Sequence, residues 1–432
     1  MTTLDQVEPL TLRNPAAGRV RSADSSHRLH ILLLSPTVHE MKGSDRDWVT
    51  LANALGSDQV RISWAGAPGC EYLRPYLDPG VVTRLIDVGL PWFTYLIQEN
   101  AYAERSNALW FRIVADHLLR LVQPLRRLSK ELSGDPVDLV VTNTAAVTLG
   151  ALFAAIHRRP HVWCVKESLD PAVPACLKLA RWITRLSSSV VVPSQAVAAP
   201  FAGRVAVVPD GCDVEKIQAG ARSKSRTHVL DQLGLPSVRP VVAQVGGTVW
   251  WKGQHVTADA FLRLAAGGGE PLFSLLFLGR GNAEYRESLD RTLAQAPREW
   301  QEAVRFVHFD HDDFSYLGAA DIVVHPSVLP DPFPNAVREA MILGKPVIAS
   351  RQGGIPEMIQ DGETGILVRP RDSEDLGSAI HMLATSPAER ARLGESARRF
   401  ATEYFDIHTR KNDFVRLFRS LVRDPRRVSD VV

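Results

Sequence analysis

Two carboxylates eight residues apart, Asp331 and Glu339, flank a helix start in HPSVLPDPFPNAVREAMILGKPVIASRQGGIPEMIQDGETGILV, residues 325–368. Pro332 and Pro334 bar Asp331 and Phe333 from the α region, so the helix begins no earlier than about Asn335, itself a good capping residue. The amides of Asn335, Ala336 and Val337 then lack helical acceptors, and with the helix dipole they favour an anion such as a diphosphate. Glu339, one turn in, stands beside that anion. The flanking apolar runs 322–324 and 347–349 read as buried parallel strands, and the helix 336–343 between them ends at Gly344, suited to a left-handed cap.

Other positions compete for chemistry. Lys252 lies in a loop between a strand at 241–245 and a helix from His255, just after Gly246 and Gly247, which suit either a plain turn or a close approach of backbone to ligand. Gly353 and Gly354 read the same way, with ligand approach preferred. Lys166 and Glu167 close the strand 161–165, at the edge where parallel sheets bind ligands. They read equally as site residues or as a surface ion pair. His39 and Glu40 stand in the first loop, solvated or facing a cleft. The string Asp310-His311-Asp312-Asp313 offers hard oxygen ligands for a divalent ion on a sugar diphosphate, or a helix cap from Asp312 or Asp313. Capping is preferred, and no metal is expected.

These residues need a scaffold of alternating strands and helices. Strands are expected at 29–34, 60–64, 81–86, 139–142, 161–165, 190–192 and 205–208, with helices such as 45–55, 108–132 and 145–157 between them. A second alternation covers 241–245, 273–278, 304–307, 322–324 and 347–350. The reading is α/β, with two Rossmann-like domains of parallel sheet. The expected divisions are a disordered head at 1–27, a first domain at 28–209 and a Gly- and Pro-bearing linker at 210–240. A second domain at 241–400 and a helical tail at 401–432 complete the chain. Phe400 and Tyr404 read as second-core residues.

Glu339-Ala340-Met341, Gly344-Lys345-Pro346-Val347, Gly353-Gly354, Glu357 and Asp361-Gly362 with Gly365 resemble the Glu-x7-Glu region and following segments of retaining, nucleotide-sugar-dependent glycosyltransferases of the GT-B type (group 1, family 4-like). Residues 188–197, 205–213 and 245–254 fit the same pattern. The resemblance, in ordered blocks over 29–383, implies a GT-B fold with two parallel sheets facing across a cleft and a last helix returning to the first domain, where Phe414 and Phe418 would pack. It also implies roles. Asp331, where the family has Glu, holds donor-sugar hydroxyls with the amides after it, in a donor loop that includes Phe333, Pro334, Asn335, Ala336 and Val337. Glu339 holds the ribose, and Lys252 the phosphates beside Gly246 and Gly247. The family's phosphate-binding Arg is replaced by Thr248 or Gly247, with Arg280 the nearest substitute by sequence. Gly43, Lys166 and Glu167 are assigned to the acceptor or sugar side, and Asp210 stands where the family carries Asn.

Composition fits small-molecule chemistry. The 432 residues are 45% hydrophobic, enough for two cores, and a net charge of +2 without a strongly basic block argues against a nucleic-acid partner. Cys70, Cys164, Cys176 and Cys212 show no paired metal spacing and are expected as reduced thiols. No apolar run spans a bilayer and the head lacks a signal-peptide core, so a cytoplasmic location is expected. Residues 118–132 are basic and amphipathic, interrupted by Pro124, which admits peripheral contact with the inner membrane face and a lipid-linked acceptor. The reading is a metal-independent, cofactor-free transferase of glycan or glycoconjugate biosynthesis. It moves a hexose-type sugar with retention from a nucleoside diphosphate sugar to a carbohydrate, lipid-linked or small-molecule acceptor. A GT-B epimerase or phosphorylase, or an inactive sugar-nucleotide-binding subunit, are the alternatives.

Overall fold

The computed structural model describes residues 28–36, 43–89, 107–308 and 313–424, with backbone alone for 107–116. Seven parallel strands form the first sheet: β1 (Leu29–Leu34), β2 (Val60–Gly66), β3 (Val82–Asp87), β4 (Leu139–Asn143), β5 (His161–Cys164), β6 (Ser189–Val192) and β7 (Val205–Val207), in the order β3-β2-β1-β4-β5-β6-β7. Six form the second: β8 (Val241–Val245), β9 (Ser274–Leu278), β10 (Val304–Val307), β11 (Ile322–His325), β12 (Val347–Ser350) and β13 (Ile366–Val368), in the order β10-β9-β8-β11-β12-β13. Runs such as LHILLL of β1 are buried throughout, as a parallel sheet covered by helices on both faces requires. Strand order reverses between β1 and β4, and again between β8 and β11. Each reversal opens a crevice at the strands' C-terminal ends, and the loops after β1, β8 and β11 lie there.

Alternate residues of β1 serve different cores. Leu29, Ile31 and Leu33 pack with the helix Ile407–Arg423, while Leu32 and Leu34 pack with Leu121, Leu128 and Phe153 on the other face. The helix Asn107–Glu131 continues through Pro124 instead of being interrupted there. A proline inside a helix costs a hydrogen bond, but Pro124 is buried between Leu121 and Leu128, both anchored in the core. Among the described residues no helix is long and apolar enough to cross a membrane, and all four cysteines are free thiols.

The chain passes between domains twice, and the two passages are bonded together. The Cys212 amide donates to the Phe405 carbonyl at 2.7 Å, and the Ile407 amide donates to the Cys212 carbonyl at 2.9 Å. A side chain at Gly211 would press on Ile407, which leaves glycine as the residue that fits. Residues 210–240 hold two capped helices. Asp213 caps Val214–Ala221 through the Lys216 amide at 2.8 Å, Ser225 caps Arg226–Leu233 through His228 at 3.2 Å, and Ile217 and Leu230 join the second core. At the other passage Phe405 is buried in the second core with Phe400 and Tyr404 against it. The next helix, Ile407–Arg423, places Phe414, Leu417 and Phe418 in the first core, with Trp48 and Phe414 edge to face at 6.0 Å.

Because Phe418 has no exposed surface, Phe418→Ala should cost about 3–5 kcal/mol of first-domain stability. Urea unfolding should show the midpoint falling for the transition that exposes Trp48 and Trp64.

Candidate functional site

The second domain supplies an acidic loop held from below. Side chains at Gly353 or Gly354 would collide with the backbone of Asp331 and Pro332, and the Gly354 amide donates to the Asp331 carbonyl at 2.9 Å. The close approach expected there is therefore to the loop's own backbone rather than to a ligand. Asp331, 6% exposed, accepts from Lys252 Nζ at 2.5 Å, and His325 Nε2 lies 3.1 Å from the same oxygen. Burial opposes ionisation of Asp331, but the Lys252 ammonium and His325 outweigh it and hold the carboxyl well below its usual range. His325, at the end of β11, is itself pushed down by burial. Lys252 ends the turn Trp250–Lys252, fixed by Gln244 Nε2 donating to the Lys252 carbonyl at 2.8 Å, with its ammonium 4.5 Å from the Trp251 ring centre.

The helix Asn335–Ile342 has Pro334 as its cap, so Asn335 is the first helical residue and not the cap. Its side chain is engaged elsewhere, donating to Asp47 at 3.2 Å and accepting from Arg338. The Val337 amide donates to the Pro334 carbonyl at 3.2 Å and its side chain is buried in the second core, which removes Val337 from the expected trio of amides. Asn335 and Ala336 line the cavity, and Glu339 lies one turn further in, 5% exposed.

Opposite stands the first domain's helix Gly43–Ala54, whose start bears Arg46 and Asp47. The Arg46 guanidinium meets the Glu339 carboxylate across the cleft. Asp47 is shared more widely, with Lys166 Nζ at 2.9 Å and Arg338 Nη2 at 3.0 Å, and Lys166 also reaches Asp210 at 2.7 Å. Burial disfavours the Asp47 anion, yet Lys166 and Arg338 bring its pKa down to about 2. For Asp210 and Glu339 burial prevails over their cationic neighbours, and both shift upward. Lys166 and Glu167 do not pair with each other. The Glu167 carboxylate turns inward and accepts from the amides of Ala145 and Lys166, both at 3.1 Å. Further contacts close the cleft: Ser194 donates to the Pro332 carbonyl at 2.9 Å, and Glu357 accepts from the amides of Gln195 and Ala196 at 2.7 and 2.9 Å.

Between the domains lies a cavity of about 310 Å³. Of the residues singled out from sequence, Gly43, Lys166, Gly246, Gly247, Lys252, Asp331, Phe333, Pro334, Asn335, Ala336 and Glu339 line it. Glu167 and Val337 do not, and Arg280 lines a separate pocket with Arg286, Phe306 and His308, which Lys252 does not line. Sequence reasoning missed Arg46, Asp47, Asp210 and His325 as lining residues. The one available signal was Asp210, an acid at a position where the resemblance expects an amide. Asp47 carries no such signal, since an acid in the first turn of a helix is commonplace. Among the described residues no cluster of three His, Cys, Asp or Glu side chains suits a metal. Asp310, His311 and Asp312 lie outside the described residues, as do His39 and Glu40. Asp313 accepts from the Ser315 amide at 3.1 Å and pairs with Lys224 at 2.7 Å.

Residues 239–386 match the family described as "Glycosyl transferases group 1". A D-inositol 3-phosphate glycosyltransferase of Corynebacterium urealyticum is 30% identical over 226 residues, 51% of this chain and 52% of that protein. The glycogen synthase of Mycobacterium tuberculosis H37Rv is 28% identical over 303 residues, 69% of this chain and 66% of that protein. The chain thus spans between about half and two thirds of the length of these relatives. In fold it resembles Anabaena HepE, crystallised in complex with UDP, with a TM-score of 0.72 and 23% identity over 91% of this chain and 100% of that one.

The Asp47 carboxyl, at about 2 when folded against an ordinary value of 3.8, contributes stability above about pH 4 that is lost as pH falls toward 2. The loss amounts to about 2 kcal/mol. Asp47→Asn removes it, so plotting unfolding free energy against pH should give a shallower acid limb for the variant than for the wild type.

Proposed function

We propose that the chain, whose residues 239–386 match the group 1 glycosyl transferases, is a retaining enzyme of that kind, moving a hexose-type sugar from a nucleoside diphosphate sugar to an acceptor hydroxyl. One observation carries the reading: Asp331, Lys252 and Glu339 converge with the start of the helix Asn335–Ile342 on a single cavity walled by the other domain. The two carboxylates that would hold donor hydroxyls are each occupied by a cation, Asp331 by Lys252 and Glu339 by Arg46. Donor entry exchanges these partners. Ribose hydroxyls take Glu339 from Arg46, and the diphosphate draws Lys252 from Asp331, which is then an ionised carboxylate facing the sugar.

Lys252 and the amides of Asn335 and Ala336 bear on the leaving diphosphate, where preorganised charge in a closed cleft acts most strongly. The departing phosphate accepts the acceptor's proton, and the acceptor enters from the wall formed by Gly43 and Lys166. Closure through contacts such as Ser194 with Pro332 keeps water from the donor. The acceptor is a carbohydrate, a lipid-linked molecule or a small molecule, and a cytoplasmic place at the inner membrane face accompanies this reading.

The test is release of free nucleotide from a panel of nucleotide sugars, with and without acceptors. Release that requires an acceptor supports transfer. Acceptor-independent conversion of the donor points to an epimerase, phosphate-dependent release to a phosphorylase, and donor binding without turnover to a silent subunit. Glu339→Gln should raise donor KM or lower kcat by the equivalent of about 1.5–3 kcal/mol, since an amide replaces a carboxylate only partly. Lys252→Ala should lower kcat/KM roughly tenfold to a thousandfold whatever the base. Turnover should survive EDTA, because Lys252 and the helix start neutralise the diphosphate. Loss on chelation with recovery on Mg²⁺ or Mn²⁺ would refute metal independence.

A further inference from the structure

One face of the first domain combines cations with apolar side chains in a way the cleft does not explain. The helices Asn107–Glu131, Leu149–His157 and Pro174–Leu186 cover the same side of the sheet. Leu121, Leu128 and Phe153 pack on Leu32 and Val140, and Ala151, Leu179 and Ile183 pack on Trp163 and Val190. Among the described residues, their outer surfaces carry six of the eleven exposed large apolar side chains: Leu118, Leu119, Val122, Ile156, Trp182 and Leu186. Leu119 is 73% exposed, Trp182 42% and Leu186 54%. Around them stand exposed cations, Arg126, Arg127 and Lys130 on the first helix and Lys178, Arg181 and Arg185 on the last, with Arg158 and Arg159 just past the middle one. Among the described side chains of the three helices Glu131 is the sole acid. The chain as a whole carries only +2, so this concentration of positive charge is local.

We infer that this three-helix face docks on the surface of an anionic lipid bilayer. Cations on the same helices as exposed Trp, Leu and Ile suit the boundary where headgroup phosphates meet acyl chains: the cations take the phosphates and the apolar tips enter the hydrocarbon edge. A nucleic acid would use the charge but leave Leu119 and Leu186 without a partner. A second copy of the same face would bring like charges together. The inference deepens the membrane-side reading above and rests on it for location, but it does not depend on the transfer reaction. Helices in parallel α/β domains run opposite to their strands, so Ile156, Trp182 and Leu186, in the last turns of their helices, lie at the end remote from the cleft. A docked molecule therefore keeps its cleft open to a water-soluble nucleotide.

Flotation of the full-length protein with vesicles tests this. Vesicles of phosphatidylcholine carrying phosphatidylglycerol should bind it, vesicles of phosphatidylcholine alone should not, and high salt should weaken binding. The double variant Arg181→Glu, Arg185→Glu should bind at least about 25-fold more weakly, taking about fivefold for each cation lost. Trp182→Ala should weaken binding with little change in salt dependence. Should the first variant not fold, Arg126→Glu with Arg127→Glu probes the same face. Nucleotide binding measured on the same samples reports the cleft separately, so failure of either reading is visible without the other. A wild type that remains unbound or binds both vesicle types equally, or a double variant that binds anionic vesicles undiminished, would overturn the inference. So would charge reversal that abolishes self-association or RNA binding while leaving vesicle binding intact.

Discussion

The Asp47 carboxylate is the contact on which the closed arrangement of the two domains depends. It joins Lys166 of its own domain to Arg338 and Asn335 of the other, and Arg338 has no exposed surface at all. A guanidinium removed from water loses several kcal/mol of hydration, and only a close carboxylate and carbonyl offset that loss. Arg338 has both, through Asp47 and the Gly211 carbonyl at 3.3 Å. Parting the domains would take Asp47 away and admit water, so burial of Arg338 and closure of the cleft are one event.

The same network sets the electrostatics of the cavity. Asp47, Asp210 and Glu339 stand against Arg46, Lys166 and Arg338, and Asp331 against Lys252, so the formal charges cancel. A diphosphate entering such a site meets cations already engaged. Its affinity is then a difference between new pairs and old ones, to which the helix start adds positive potential.

Much of this architecture was legible because local chemistry fixed it. Pro332 and Pro334 set where the helix could start, Gly344 where it stopped, and apolar runs located β8, β11 and β12 to within a residue or so. The opposing wall was not legible. Arg46 and Glu339 lie 293 residues apart, and no periodicity connects them. Asn335 looked like a cap because its side chain suits that task, yet tertiary partners in Asp47 and Arg338 claimed it. Gly353 and Gly354 signalled close approach correctly as a type of contact, but sequence could not say that the neighbour was the chain itself. Pro124 broke a local rule that buried leucines on either side overrode.

The helix Ile407–Arg423 has a consequence for the order of events during synthesis. Its residues are made after the entire second domain, yet they fill the core built on β1, β2 and β4. While the ribosome extends the chain, the first domain waits with the apolar surface around Trp48, Val49 and Ile31 uncovered. Its completion needs a contact spanning nearly the whole sequence, a slow step by loop-closure entropy. The final packing of the first domain is thus timed by the arrival of the helix Ile407–Arg423.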